Sequence, residues 1–90
     1  MGELQFDPDA LSGVPKPECE RILEKAGWLW EFRSIVTHHP LRHDLSGLYK
    51  RLLGKYRIIY SYEEAADKMV IHLVGTRDTI YKNAVKKFRK

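Results

Sequence analysis

Three cations and a tyrosine in the second half of this 90-residue chain have the types and spacing to meet a polyanion: Lys50, Arg57, Arg77 and Tyr81. They lie in or just after three consecutive strand-like runs, in which residues two apart share a face. Lys50 and Arg57 are expected as neighbours on one surface of a sheet. Arg77 follows Gly75-Thr76 where the last run closes, and Tyr81 stands shortly after it. Like charges that neighbour across strands disfavour folding, so cations kept this close point to a surface shaped for an anion. His38, His39 and His43 also cluster in sequence, but no cysteine or carboxylate completes a ligand pattern and Pro40 places them in a loop or at a helix end. No metal site is expected there, and no cofactor. His72 falls on the same predicted face as Lys50, and a satisfied structural histidine is its expected role.

A sheet must hold these side chains, and its register can be read. Residues 48–53 and 56–62 form strand-like runs separated only by Gly54-Lys55. Glycine first in a two-residue loop suits a type II′ hairpin turn. A tight turn then sets Leu53 opposite Tyr56, Leu52 opposite Arg57 and Lys50 opposite Ile59. Alternation puts Tyr49, Arg51, Leu53, Tyr56, Ile58, Tyr60 and Tyr62 on one face. Lys50, Leu52, Arg57, Ile59 and Ser61 share the other. The third run, residues 69–74, is expected to send Met69, Ile71 and Leu73 to the first face and Val70, His72 and Val74 to the second. The first face reads as core, and the second as partly apolar with cations.

The first half supplies what packs on that core. Residues 3–6 read as a short strand. Asp7-Pro8-Asp9 resembles a helix start, with Asp7 as N-cap and Pro8 at the first helical position. Gly13, Pro15 and Pro17 end that short helix. From Glu18, the residues Cys19, Ile22, Leu23, Ala26, Leu29 and Trp30 form an apolar stripe at helical spacing. This second helix is expected to run to about Val36 and to stop before Pro40. Gly27 is an interior weakness of about 1 kcal/mol relative to alanine, placed to allow a close approach to the sheet. Trp28 and Trp30 cannot share a helix face, so one is expected in the core and the other at its rim.

Composition bounds the rest. Residues 1–90 make one small domain with a single modest core. Sixteen Lys+Arg against twelve Asp+Glu give +4, with a pI near 9.3. A basic balance argues for a nucleic-acid partner only where the charge is localised. Cys19 is the sole cysteine, so no intrachain disulfide can form and a reducing cytoplasm is the simplest compartment. No apolar run approaches the roughly 20 residues of a membrane span, and no signal-like segment opens the chain. The basic tail VKKFRK fits either a solvated helix end or a contact with ribosomal RNA or an acidic partner.

The run DLSGLYKRLLGKYRIIYSYEE followed by KMVIHLVGTRDTIY resembles the RelE/ParE family of type II toxins. That family shows a Leu-x-Gly, a Tyr-Lys or Tyr-Arg strand, a Gly-x-Tyr-Arg-x-x-Tyr strand, and a closing Val-Gly-x-Arg with a tyrosine shortly after. The match covers roughly residues 40–84, and the helix around Trp28–Phe32 also suits it. The resemblance implies a small α+β domain of RelE-like fold. It would have an antiparallel sheet, two N-terminal helices packed on one face, and a short C-terminal helix. The partner it implies is a cognate antitoxin, small and partly disordered until it folds over the sheet or helices.

In the RelE branch, the resemblance further implies cleavage of messenger RNA, typically on the ribosome. The branch's catalytic positions fall on Lys50, Arg57, Arg77 and Tyr81. One position departs: Leu52 stands where RelE has a second lysine. Transesterification would ask the two arginines to stabilise the extra phosphorane charge. Lys50 would stabilise charge or act as general base, and Tyr81 would stack on a base or orient the nucleotide. The family also holds ParE-like inhibitors of DNA gyrase, which are not enzymes. A non-toxic interaction module with the same fold is the remaining alternative.

Overall fold

The chain folds around the hairpin whose turn residues are Gly54 and Lys55. The computed structural model describes residues 2–88; Arg89 and Lys90, the end of the basic tail, lie outside the described residues. Its elements are β1 (Glu3–Phe6), α1 (Lys16–Glu31), β2 (His39–Pro40), a single 3₁₀ turn at His43–Leu45, β3 (Tyr49–Leu53), β4 (Tyr56–Glu63), β5 (Lys68–Thr76) and α2 (Arg77–Phe88). One five-stranded sheet runs in the order β1-β5-β4-β3-β2. The hairpin register is the expected one, with Leu53 opposite Tyr56, Leu52 opposite Arg57 and Lys50 opposite Ile59. Gly54 takes φ 57° while Lys55 stays out of the positive region, the pattern of a type II′ turn.

The sheet is mixed, not wholly antiparallel. β1 runs parallel to β5, pairing Leu4 with Met69 and Phe6 with Ile71. The β4–β5 ladder carries a bulge: Ile59 faces Leu73, but Tyr60 faces Ile71, leaving His72 as the extra residue. A bulge of this kind shifts side-chain phase by one. Val74 therefore joins the core face with Ile58, and Leu73 turns to the other face with Ile59. The expected places of Leu73 and Val74 are thus exchanged, while Met69 and Ile71 lie where alternation put them.

Each face is covered by one helix. Ile22, Ala26 and Leu29 of α1 pack against Ile58, Tyr60, Met69, Ile71 and Val74. Ile80 and Ala84 of α2 pack against Ile59, Leu45 and Leu48. Two N-terminal helices on one face are therefore not found: one helix lies mid-chain and one at the C-terminal end. The segment after Asp7 makes successive turns instead of a helix, with the Ala10 N–H donating to the Asp7 carbonyl and the Ser12 N–H to Asp9. The Asp7 carboxylate, read as an N-cap, is instead engaged by His72 and Lys87. The Val74 N–H donates to the Ala10 carbonyl and ties this segment to β5.

α1 starts earlier and ends earlier than its stripe implies. Pro15 precedes it and Pro17 sits in its first turn, where a missing N–H leaves no bond unmade. It closes at Glu31, where the Arg33 N–H turns to the Trp30 carbonyl. The Arg33 guanidinium forks onto Asp67 at 2.6 and 2.9 Å and donates to the Trp30 carbonyl at 2.7 Å. Trp30 packs on the core beneath Arg33, while Trp28 remains exposed at the rim. Gly27 faces solvent, with nothing within 4 Å of where its Cβ would be, so it serves no close approach to the sheet.

Candidate functional site

The hairpin and the junction from β5 to α2 place the arginines. Arg57 is the second residue of β4, opposite Leu52 on one side and Gly75 on the other. Strand β5 passes into α2 without a loop, so Arg77 is the first helical residue. Gly75 makes this possible. A Cβ there would lie 3.3 Å from Ile80 Cδ1, tighter than ordinary contact, so glycine lets the first turn of α2 fold back on the strand end. Arg57 and Arg77 consequently line one cavity of about 460 Å³, with Lys55, Thr76 and Asp78 around them. Arg57 is half-buried and Arg77 exposed.

The other two predicted residues lie outside that cavity. Lys50 is in β3 between His39 and Ile59. It stands on the diagonal from Arg57, a spacing of roughly 7–8 Å, and lines a separate cavity with His39 and Leu52. Tyr81 is four residues past Arg77 and so on the same flank of α2. Its ring packs against the Leu45–Leu48–Ile59–Ile80 cluster.

One carboxylate, Asp78, borders the cavity of Arg57 and Arg77. Among the described residues, Lys50, Arg57 and Arg77 form no ion pair with a carboxylate. Arg77 also occupies the N-terminal end of α2, where the helix dipole disfavours a cation. Two guanidiniums lining one cavity have the donor geometry that suits phosphate oxygens.

Two polar networks escape sequence reasoning because their members are far apart in the chain. His72 Nδ1 lies 2.8 Å from Asp7 Oδ2, and its Nε2 lies 2.9 Å from Ser61 Oγ. Lys87 donates to Asp9 at 2.5 Å and to the His72 carbonyl at 2.6 Å, clasping the last turn of α2 to the start of the chain. Burial alone would raise the Asp7 pKa, but hydrogen bonds from His72 and Lys87 hold it below the ordinary carboxylate value. The second network centres on His38, whose Nδ1 accepts from the Tyr60 hydroxyl at 2.6 Å and whose Nε2 donates to the Arg33 carbonyl at 2.8 Å. Burial pushes the Tyr60 phenol up to about 12. His38 is enclosed by the rings of Tyr49, Tyr60 and Tyr62. His39 and His43 are exposed, and among the described residues no three His, Cys, Asp or Glu side chains are grouped to hold a metal ion.

No protein-family model matches the chain, and no curated protein does either. Solved structures do. A RelBE toxin–antitoxin complex from Mycobacterium tuberculosis contains a chain that is 28% identical with a TM-score of 0.72, covering 84% of this chain and 91% of that one. The isolated RelE toxin of E. coli is 26% identical with a TM-score of 0.64, covering 97% and 98%. An archaeal RelE–RelB complex from Pyrococcus horikoshii is 25% identical with a TM-score of 0.62, covering 84% and 94%. The likeness therefore spans almost the whole molecule.

Proposed function

We propose that this RelE-like chain is the toxin of a type II toxin–antitoxin pair and acts as an endoribonuclease on translated messenger RNA in the cytoplasm. The observation that carries the reading is the convergence of Arg57 and Arg77 on one cavity, with neither cation paired among the described residues. Resemblance to RelE proteins, some solved with RelB, supports both the toxin role and an antitoxin partner. Among the described residues no helix is long and apolar enough to cross a membrane.

The reaction needs an attacking 2′-oxygen, a stabilised phosphorane and a protonated leaving group. The 2′-hydroxyl gives up its proton as its oxygen bonds to phosphorus. The bond from phosphorus to the 5′-oxygen then breaks, and that oxygen takes a proton. The products are a 2′,3′-cyclic phosphate and a 5′-hydroxyl. Arg57 and Arg77 hold the non-bridging oxygens, where fixed donors stabilise the extra charge most. Lys50 supplies a third cation one diagonal step away, and Tyr81 orients the neighbouring nucleotide from the flank of α2. The chemistry asks nothing of a metal ion.

The test is cleavage of a ribosome-bound message by purified protein, with the new ends analysed chemically. Cyclic phosphate and 5′-hydroxyl ends, absent with Arg57→Ala and Arg77→Ala, are the expected result. An intact message together with inhibited DNA gyrase would replace this reading with the ParE-like one. An intact message with neither effect would leave a non-toxic interaction module.

A further inference from the structure

The basic surface does not stop at the arginine cavity. Leu52, opposite Arg57, lines the neighbouring cavity of about 320 Å³ with Lys25, Lys50 and Arg51. β2 pairs only with Tyr49 and Lys50, so the edge of β3 is open from Arg51 to Leu53. Alternation sends Lys50 to the α2 side of this edge and Arg51 to the α1 side, so the two cations straddle it. Beyond the edge, α1 presents Arg21, Lys25 and Trp28 at helical spacing. These line a third cavity of about 300 Å³ with Leu53 and Glu24. Lys25 Nζ lies 3.8 Å and Arg51 Cζ 5.1 Å from the centre of the Trp28 ring. Trp28 is 37% exposed and Leu52 53%. Lys25, Lys50 and Arg51 have no carboxylate partner among the described residues.

Cations on an open edge strand guard against pairing with another sheet, and that role accounts for Arg51. It does not account for Lys25 and Trp28, which lie on a helix. Nor does it explain why Leu52 is left bare beside Lys50 and Arg51. A protein helix seeks a continuous apolar stripe. This surface instead offers single apolar side chains separated by cations, the arrangement of a stacking platform within an electrostatic track.

We propose that the β3 edge is a second binding site, which takes the single-stranded RNA flanking the scissile phosphate. Phosphates follow Lys50, Arg51 and Lys25; Leu52 gives the strand an apolar contact on the α2 side of the edge, and the exposed part of Trp28, with Lys25 and Arg51 on its ring, gives one on the α1 side. Leu52 thus serves base contact at the position where RelE has a lysine, while Lys25 and Arg51 provide cations on the α1 side. This assignment rests on the ribonuclease reading, since it takes the strand to continue from Arg57 and Arg77.

The experiment is titration of the protein with a short, unstructured 2′-O-methyl oligoribonucleotide, which binds but cannot be cut, while tryptophan emission is followed. RNA is expected to quench emission in the wild type and to leave the Trp30 emission of Trp28→Phe unchanged. Lys25→Glu with Arg51→Glu should weaken binding at least about tenfold. The double variant should also flatten the dependence of log affinity on log salt by about 1.4, at about 0.7 per lost phosphate contact. Lys16→Glu, at the far end of α1, should cost much less. Absence of quenching overturns the site, as does equal weakening by Lys16→Glu. Quenching by a polyglutamate peptide but not by RNA overturns it in favour of an acidic protein. Because the oligonucleotide cannot be cleaved, quenching can succeed where cleavage fails. Cleavage of a message that is indifferent to Lys25 and Arg51 would instead remove the track and leave the nuclease standing.

Discussion

An arginine at the first position of a helix meets the positive end of the dipole, at a cost of about 0.3–1 kcal/mol. Arg77 bears that cost with Arg57 sharing its cavity and no carboxylate partner for either among the described residues. An anion bound in the cavity is expected to offset that cost. Arg57→Ala and Arg77→Ala should therefore each lower cleavage about 100-fold or more, while leaving the melting temperature unchanged or slightly raised. Thermal unfolding beside a cleavage assay checks both signs. Tyr60 behaves in the opposite way, as a residue of stability. Its phenol, raised by burial to about 12 from 10.0, favours the neutral form in the fold. That contribution is complete below pH 10 and is lost as pH rises towards 12. Tyr60→Phe should cost about 1–2 kcal/mol by leaving His38 without its donor. It should also remove part of the alkaline loss of stability, which denaturant titrations from pH 8 to 12 would show.

At the scale of elements, local rules decided what could be read in the sequence. The hairpin was legible because Gly54-Lys55 fixes both turn and register, and alternation then fixed the faces of β3 and β4. The bulge at His72 was not, because an extra residue carries no mark in the pattern Met69–Val74, and it exchanged Leu73 with Val74. Asp7 looked like a helix cap because Asp-Pro is a local signal, whereas its partners His72 and Lys87 lie far along the chain. Lys50, Arg57, Arg77 and Tyr81 were legible as candidates, but only the two arginines share a cavity. The Lys25–Trp28–Arg51 grouping was hidden because it joins a helix flank to a strand edge. The clasp at the end of α2 yields a prediction at this scale. Lys87→Met should destabilise the protein by about 1 kcal/mol and speed amide exchange in the last turns of α2 before the sheet. The charge swap Asp9→Lys with Lys87→Asp should recover part of that protection, as hydrogen exchange would show.

The whole molecule is one mixed sheet held between two helices, and carboxylates join its distant parts. The Arg33 hydrogen bonds hold Asp67 below its ordinary pKa of 3.8, and the Lys87 hydrogen bond does the same for Asp9. A depressed carboxylate stabilises the fold above its unfolded value, and that stability is lost as pH falls through the lower folded value. The contribution of these carboxylates should thus be complete above about pH 4 and decline below it. Asp67→Asn should make the decline shallower, as chemical denaturation across pH 2–6 would reveal. The central claim concerns messages in living cells. The decisive measurement is primer extension on mRNA after brief induction of this chain, beside the variant carrying Arg57→Ala and Arg77→Ala. Discrete cuts within translated codons, lost in the variant, are the predicted result. Intact messages with arrested growth and DNA damage would contradict it and point to gyrase.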